Sequence, residues 1–286
     1  MTCSEYRIAL HNLLTSRLNC FEHDIIFVMK NYLIDTHAHI DMVVSEEMTL
    51  DHIIKEMNEF GVKKAIIPAV EIKTQDAVVE LVNSNENIYG MVGLFPSEAK
   101  TFTIEFEQKM EELAKSNKKV VAVGEIGLDY YWDKSFVDLQ KDIFRKQIRM
   151  ANRLNLPIAV HDREAHKDCF DILKEEKPQN GVLFHCFSGS VEFMKECVKE
   201  GWYIALGGVV TFKNAIKMKD VAREVPLDKL VLETDSPYLT PVPYRGKLNK
   251  PAYVHYVAEE ISKLREIPIE ELIDITTTNA ERFFRI

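Results

Sequence analysis

No stretch of the 286-residue chain is long and apolar enough to span a bilayer, which takes about 20 such residues. The N-terminus does not resemble a secretory signal either, because Glu22, His23 and Asp24 interrupt the apolar stretch near 25–28. Both absences lead to the expectation of a cytoplasmic protein without a membrane partner. The five cysteines (Cys3, Cys20, Cys169, Cys186 and Cys197) are odd in number and include no Cys-x-x-Cys pair, which argues against a disulfide framework or a zinc finger. They read as reduced thiols packed like small hydrophobes. Gly-x-Gly-x-x-Gly and Gly-x-x-x-x-Gly-Lys-Ser/Thr are missing, and with them the usual nucleotide-binding turns. Internal repeats, Pro/Gly-rich linkers and low-complexity tracts are also missing. Basic residues do not dominate: 36 Lys and Arg against 45 Asp and Glu give a net charge of −9. That excludes a broad cationic nucleic-acid face but leaves room for a pocket made cationic by bound metal.

What is present is a regular alternation. Apolar runs at 32–35, 64–68, 88–93, 120–125, 157–160, 181–185, 203–206 and 230–233 read as short buried strands. Between them lie charged stretches with apolar residues at helical spacing, such as 50–60, 76–84, 104–116, 136–154, 164–175 and 191–200. Strand and helix in alternation imply right-handed βαβ units and a parallel sheet. Eight runs suit a TIM-like (β/α)₈ barrel with its helices outside, and a doubly wound open sheet is the competitor that lacks its nucleotide signals. The pattern begins at Tyr32. From Met29 onward 286 − 28 = 258 residues remain, close to the barrel norm of about 250. Residues 29–286 are therefore expected to form one barrel domain. Residues 1–28 are an N-terminal extension in which Tyr6, Leu10, Leu13, Leu14 and Leu18 allow a short amphipathic helix, with an unstructured extension as the alternative.

Metal-capable side chains fall where the strands end. His37 and His39 follow the first run, and a His-x-His pair in extended backbone aims two imidazoles the same way. Glu125 closes the fourth run, His161 follows the fifth, His185 closes the sixth, and Asp235 comes just past the eighth. A lone strand-end histidine is usually a hydrogen-bonded loop residue. Six such residues, all at C-terminal strand ends, meet on the one barrel rim where active sites form. Imidazoles and carboxylates at that density suit zinc or another divalent ion that accepts mixed N/O ligands.

Several motifs resemble the signatures of TatD-type metal-dependent deoxyribonucleases of the amidohydrolase superfamily. They are Asp35-Thr36-His37-Ala38-His39, Gly124-Glu125-Ile126-Gly127-Leu128-Asp129, Pro157-Ile158-Ala159-Val160-His161-Asp162-Arg163, His185-Cys186-Phe187-Ser188-Gly189 and Glu233-Thr234-Asp235-Ser236-Pro237-Tyr238-Leu239. Tyr244-Arg245-Gly246-Lys247-x-Asn249-x-Pro251 and the closing Thr278-Asn279-Ala280-x-x-Phe283-Phe284 belong to the same pattern, so the likeness runs from about Leu33 to Phe284. It implies a TIM barrel and a pair of divalent metal ions, whether Zn, Mg or Mn. One would be held by His37, His39, Glu125 and Asp235, the other by Glu125, His161 and His185, with Glu125 shared. It also implies a water activated between the metals, with Asp235 taking its proton, and hydrolysis of DNA phosphodiesters, in single strands or frayed ends. Nothing in the pattern calls for an obligate protein partner.

Around that centre, Arg163 is expected either to contact a phosphate or to form a rim salt bridge. Arg245 and Lys247, with Lys250, make the one basic stretch beside a catalytic strand, and Tyr238 and Tyr244 are candidates to stack on bases. Asp129 is expected to fix its loop, Cys186 to point away from the site into packing, and His52, His166 and His255 to lie on the surface. One departure matters. Many relatives of this type carry Gly-x-His-Pro after the third strand, where this chain has Gly93-Leu94-Phe95-Pro96. Phenylalanine neither binds metal nor moves a proton, so substrate choice or rate is what the change touches. The alternative activity, on an amide, lactone or other ester, would use the same metal ligands.

Overall fold

The computed structural model describes residues 30–45 and 48–286. The expectations for residues 1–28, including Cys3 and Cys20, lie outside the described residues. Eight strands form a single parallel sheet in sequence order: β1 (Leu33–Asp35), β2 (Val62–Pro68), β3 (Ile88–Val92), β4 (Val120–Asp129), β5 (Ile158–Arg163), β6 (Val182–Phe184), β7 (Tyr203–Leu206) and β8 (Leu230–Leu232). Helices occupy the crossovers: α1 (Ile40–Val43) and α2 (Leu50–Glu59), α3 (Thr74–Ser84), α4 (Ile104–Ser116), α5 (Val137–Leu154), α6 (His166–Glu176), α7 (Val191–Lys199) and α8 (Ile216–Glu224). Two more, α9 (Val254–Arg265) and α10 (Ile269–Phe284), follow β8. This is the expected TIM-like barrel. Among the described residues no helix is long and apolar enough to cross a membrane.

Side-chain parity divides the core in two. Ile34, Ile66, Met91, Ala122, Ala159, Leu183, Ala205 and Val231 form the inner cluster. Their strand neighbours, such as Ala65, Ile67, Ile158, Val160, Val182 and Phe184, belong to the larger cluster under the helices. Several helices start where the sequence supplies a cap: Thr49, Thr103 and Ser190 accept the backbone N–H of His52, Phe106 and Phe193. The inner cluster is closed, on the side where the strands begin, by Phe283 and Phe284 from the end of α10. Phe283 lies 5.2 Å, centroid to centroid, from Tyr203 at the start of β7.

The seam between β1 and β8 closes through the residues just beyond the strands. Thr36 donates its backbone N–H to the Leu232 carbonyl at 3.1 Å, and Asp235 donates to the His37 carbonyl at 2.9 Å. His39 donates to the Ser236 carbonyl at 2.8 Å. The buried Asp35 carboxylate accepts the Thr234 N–H at 2.9 Å and the Thr234 hydroxyl at 2.5 Å. Barrel closure and the His-x-His segment thus share one set of hydrogen bonds.

Two neighbouring strands run past their sequence reading: β5 extends to Arg163 and so contains His161, and β4 extends with it. β4 does not stop at Glu125 but continues to Asp129, pairing Gly127, Leu128 and Asp129 with His161, Asp162 and Arg163 of β5. The register slips between Val123 and Ile126, a bulge that sets Gly124 and Glu125 against Ala159 alone. The two strands approach too closely for side chains there. A Cβ on Gly127, whose φ is 145°, would sit 2.0 Å from the His161 carbonyl oxygen. The apolar run in the sequence ends at Glu125, yet Gly127, free of a side chain, lets β4 carry on.

Phe284 is 2% exposed in the barrel floor. Phe284→Ala is expected to cost about 3–5 kcal/mol through lost burial and a cavity. Thermal unfolding should then fall by about ten degrees; a shift of only a degree or two would show that the floor does not depend on this ring.

Candidate metal centre

Glu125 is the hub of the rim. Its carboxylate is 3% exposed, and its two oxygens face different imidazole pairs. Oε2 lies 3.3 Å from His37 Nε2 and 3.8 Å from His39 Nε2. Oε1 lies 2.7 Å from His161 Nδ1 and 2.9 Å from His185 Nε2. Asp235 Oδ1 completes the first group, 3.6 Å from His39 Nε2 and 3.9 Å from His37 Nε2. In each triad, His37–His39–Glu125 and Glu125–His161–His185, donor atoms sit within 4.8 Å of one another. All six residues expected from the strand ends therefore meet.

The strands deliver them by parity. His161 shares the inward face with Ala159, His185 with Leu183, and the β4 bulge turns Glu125 inward beside them. Asp235 comes from a turn in the left-handed region, with φ of 55°, a conformation aspartate tolerates better than most residues. The Asp235 N–H bond to the His37 carbonyl locks that turn onto the His-x-His segment.

Burial would push the Glu125 carboxyl up, but the charge of His185, hydrogen bonds from His161 and His185, and the nearby His37 hold it well below the usual range. Burial likewise works against a charged Asp235, but the neighbouring imidazoles of His39, His185 and His37 outweigh it, so this carboxyl also falls. The imidazoles respond in kind. Burial opposes their charge, but Glu125 and Glu233 raise His185 well above normal, Asp129 and Glu125 raise His161, and Asp235 and Glu125 raise His39. His37 alone goes down, through burial and repulsion from His185. Both of its ring nitrogens are buried without a hydrogen-bond partner. A neutral, fully buried imidazole with free nitrogens beside two anionic carboxylates is a poor hydrogen-bonding arrangement and a good ligand set. The donors fit divalent metal: it would displace the protons that the raised imidazoles otherwise hold.

Two further carboxylates orient these ligands. Asp129 Oδ2 meets His161 Nε2 at 2.9 Å, while its Oδ1 accepts the backbone N–H groups of Tyr131 at 2.9 Å and Trp132 at 3.4 Å. It fixes its loop as expected and positions a histidine as well. Glu233, buried and not among the expected site residues, lies 3.6 Å from His185 Nδ1 and accepts the Cys186 N–H at 2.6 Å. The signal for it was available, since Glu233 has the same parity as inward-facing Val231.

A cavity of about 910 Å³ opens over the cluster. Arg163 and Tyr238 line it; Arg245 and Lys247 do not. The Arg245 guanidinium lies 3.8 Å over the Phe212 ring and donates to the Thr240 carbonyl, and the Lys247 ammonium sits 5.4 Å over Tyr244. Tyr244 itself stacks on Tyr253. Cys186 departs from its expected outward direction and lines the cavity, because the chain turns there with φ of 43° instead of continuing as strand. Phe95 also lines the cavity, with its ring 4.6 Å from that of His161. His52 is exposed, and His166 and His255 are half-buried on helices beside Asp162 and Glu259.

The family model described as TatD related DNase matches residues 34–285. The chain is 45% identical over 255 residues to YabD of Bacillus subtilis (strain 168), an uncharacterized metal-dependent hydrolase, covering 89% of this chain and 99% of the relative. It is 37% identical over 259 residues to YcfH of Escherichia coli (strain K12), also named an uncharacterized metal-dependent hydrolase, covering 89% and 96%. The crystal structure of YJJV, a TatD homolog from Escherichia coli K12, superposes with a TM-score of 0.84 at 29% identity, covering 91% of this chain and 100% of that one.

Because His39, His161 and His185 are raised, their protons compete with metal further up the pH scale than free imidazoles would. Zn²⁺ or Mn²⁺ affinity measured by calorimetry should therefore fall steadily from pH 8 to pH 6, with proton release on binding; an affinity flat over that range would contradict this. Asp129→Asn and Glu233→Gln should each weaken metal binding by about 10–100-fold while leaving the fold intact by circular dichroism.

Proposed function

Since the chain belongs to the TatD related DNase family, we propose that it is a divalent-metal-dependent hydrolase that cleaves DNA phosphodiester bonds, in single strands or frayed ends, within one domain spanning residues 29–286. The observation that carries this is the division of Glu125 between two imidazole pairs. That arrangement supports a shared carboxylate between two cations, whose repulsion a bridging anion screens. His37, His39, Glu125 and Asp235 would hold one; Glu125, His161 and His185 the other. When bound, such a pair of ions (Zn, Mg or Mn) supplies a nucleophilic water at neutral pH and neutralises charge on the attacking and leaving oxygens.

The remaining chemistry belongs to the chain. Asp235 lines the cavity and is kept ionised by the histidines around it, so it can accept the proton released from the attacking water. Asp129 keeps His161 in place through the reaction, which saves reorganisation when charge develops, and the Glu233 carboxylate beside His185 favours that ring's charge. Arg163, on the cavity wall, can pair with a phosphate oxygen of the same strand. The cluster lies recessed in the barrel mouth, and the net charge of −9 keeps a long duplex at a distance, which together favour a chain end or an unpaired strand.

The cavity wall supports a second reading. Val70 and Phe95 after β2 and β3, with Val209, Val210 and Met218 after β7, give the cavity an apolar lining, which suits an amide, lactone or other ester with an uncharged body. The test is hydrolysis of a labelled single-stranded oligonucleotide with Mg²⁺, Mn²⁺ or Zn²⁺, run beside a panel of cyclic amides and lactones. The wild type is expected to shorten the oligonucleotide, and Glu125→Ala to lower the rate by at least about a thousandfold. Turnover of the panel but not of DNA would transfer the function to the second reading, and an active Glu125→Ala would overturn the mechanism for both.

A further inference from the structure

The largest exposed apolar side chain among the described residues is Trp132, 70% exposed on the cavity wall, with Tyr131 beside it at 50%. Their rings meet edge to face at 4.8 Å. The Arg163 guanidinium lies 3.9 Å over the Tyr131 ring and 5.5 Å from that of Trp132. Among the described residues no carboxylate lies within ion-pair distance of Arg163. Exposed aromatic faces beside an uncompensated planar cation are costly to leave in water and well suited to a ligand that is flat, aromatic and anionic. The set is also fixed relative to the reaction centre. The carboxylate that accepts the Tyr131 and Trp132 N–H groups is Asp129, whose other oxygen holds His161. In the backbone register of the extended β4–β5 ladder Arg163 stands opposite Asp129.

From this geometry we infer that Tyr131, Trp132 and Arg163 form a nucleotide-binding platform: Trp132 stacks on an unpaired base and Arg163 takes a phosphate next to it. The inference rests on the nucleic-acid reading above and adds the origin of its strand preference. A base within a duplex has both faces covered by its neighbours, so only a single-stranded or frayed nucleotide can offer one to Trp132. Tyr238, 56% exposed near His39, stands on the β8 side of the same mouth. A strand held at Trp132 therefore lies over the Glu125 cluster.

Two measurements on the metal-loaded protein test it. The chain has two tryptophans, and the other, Trp202, is buried against Phe170 and Phe184, so a ligand stacking at the surface reports on Trp132. A phosphorothioate-linked oligothymidylate should quench the intrinsic fluorescence at saturation, and Trp132→Phe should keep most of the binding measured by anisotropy of a labelled strand. In steady-state cleavage of single-stranded DNA, Trp132→Ala should raise KM about tenfold or more with kcat within about twofold. Replacing successive nucleotides by abasic sites should find one position where the wild type is penalised and Trp132→Ala is not. Absence of quenching, or an abasic penalty that persists unchanged in Trp132→Ala, overturns the platform even where DNA is cleaved. Quenching with tight binding but no cleavage leaves the platform standing and overturns the nuclease reading instead.

Discussion

A carboxylate taken out of water inside a protein costs several kcal/mol unless positive charge surrounds it. Glu125 is such a group, almost wholly enclosed at the mouth of the barrel. Four imidazoles, one on β5 and three just beyond the ends of β1 and β6, face its two oxygens, with further acids packed against them. Asp129 bonds His161, Glu233 stands 3.6 Å from His185, and Asp235 faces both His37 and His39. Removing any carboxylate leaves a histidine without direction; removing any histidine leaves a buried anion exposed to its own desolvation cost. The centre is for that reason a mutually dependent set rather than a collection of ligands.

The barrel makes this economical. Its inner face is apolar from Ile34 to Val231, and the same two-residue alternation that fills it continues upward into His161, His185 and Glu233. Polar chemistry begins where the apolar layers stop, so the floor of the site is rigid packing and its ceiling is solvent. The extended β4–β5 ladder rises past that level, and it carries both a ligand and the aromatic residues at the mouth. Support for the ligands and contact with a substrate are thus built from one piece of backbone.

Much of this was legible in the sequence, for a physical reason. Strand length, parity and the parallel order are all local or periodic, so short apolar runs suffice to bring His37, His39, Glu125, His161, His185 and Asp235 to one rim. What escaped depends on local backbone departures. Glu233 has the right parity, yet a lone glutamate at a strand end does not distinguish a ligand's support from a loop charge. Cys186 obeys parity in sequence, but the chain leaves the strand through a left-handed turn and brings it to the cavity. Arg245 and Lys247 looked suitable by charge and position, but which way a loop side chain leans is decided by its partners, and here those are Phe212, Thr240 and Tyr244. The reach of β4 past Glu125 was hidden by glycines that usually end strands and here permit a close pair. Trp132 had no motif to announce it; its exposure does.

The seam between β1 and β8 gives the site a mechanical role. First and last strands of the barrel share no long ladder and are fastened chiefly at the rim, through the segment that carries His37 and His39 and the turn that carries Asp235. An ion gripped from both sides of that join would be a clasp between residues some two hundred positions apart in the chain, and its binding free energy would add to the work of opening the barrel there. With such an ion in place, loading the site and shutting the barrel would be one equilibrium: the emptied protein would fray along this edge first, and the filled one would resist unzipping where an open-ended sheet is weakest.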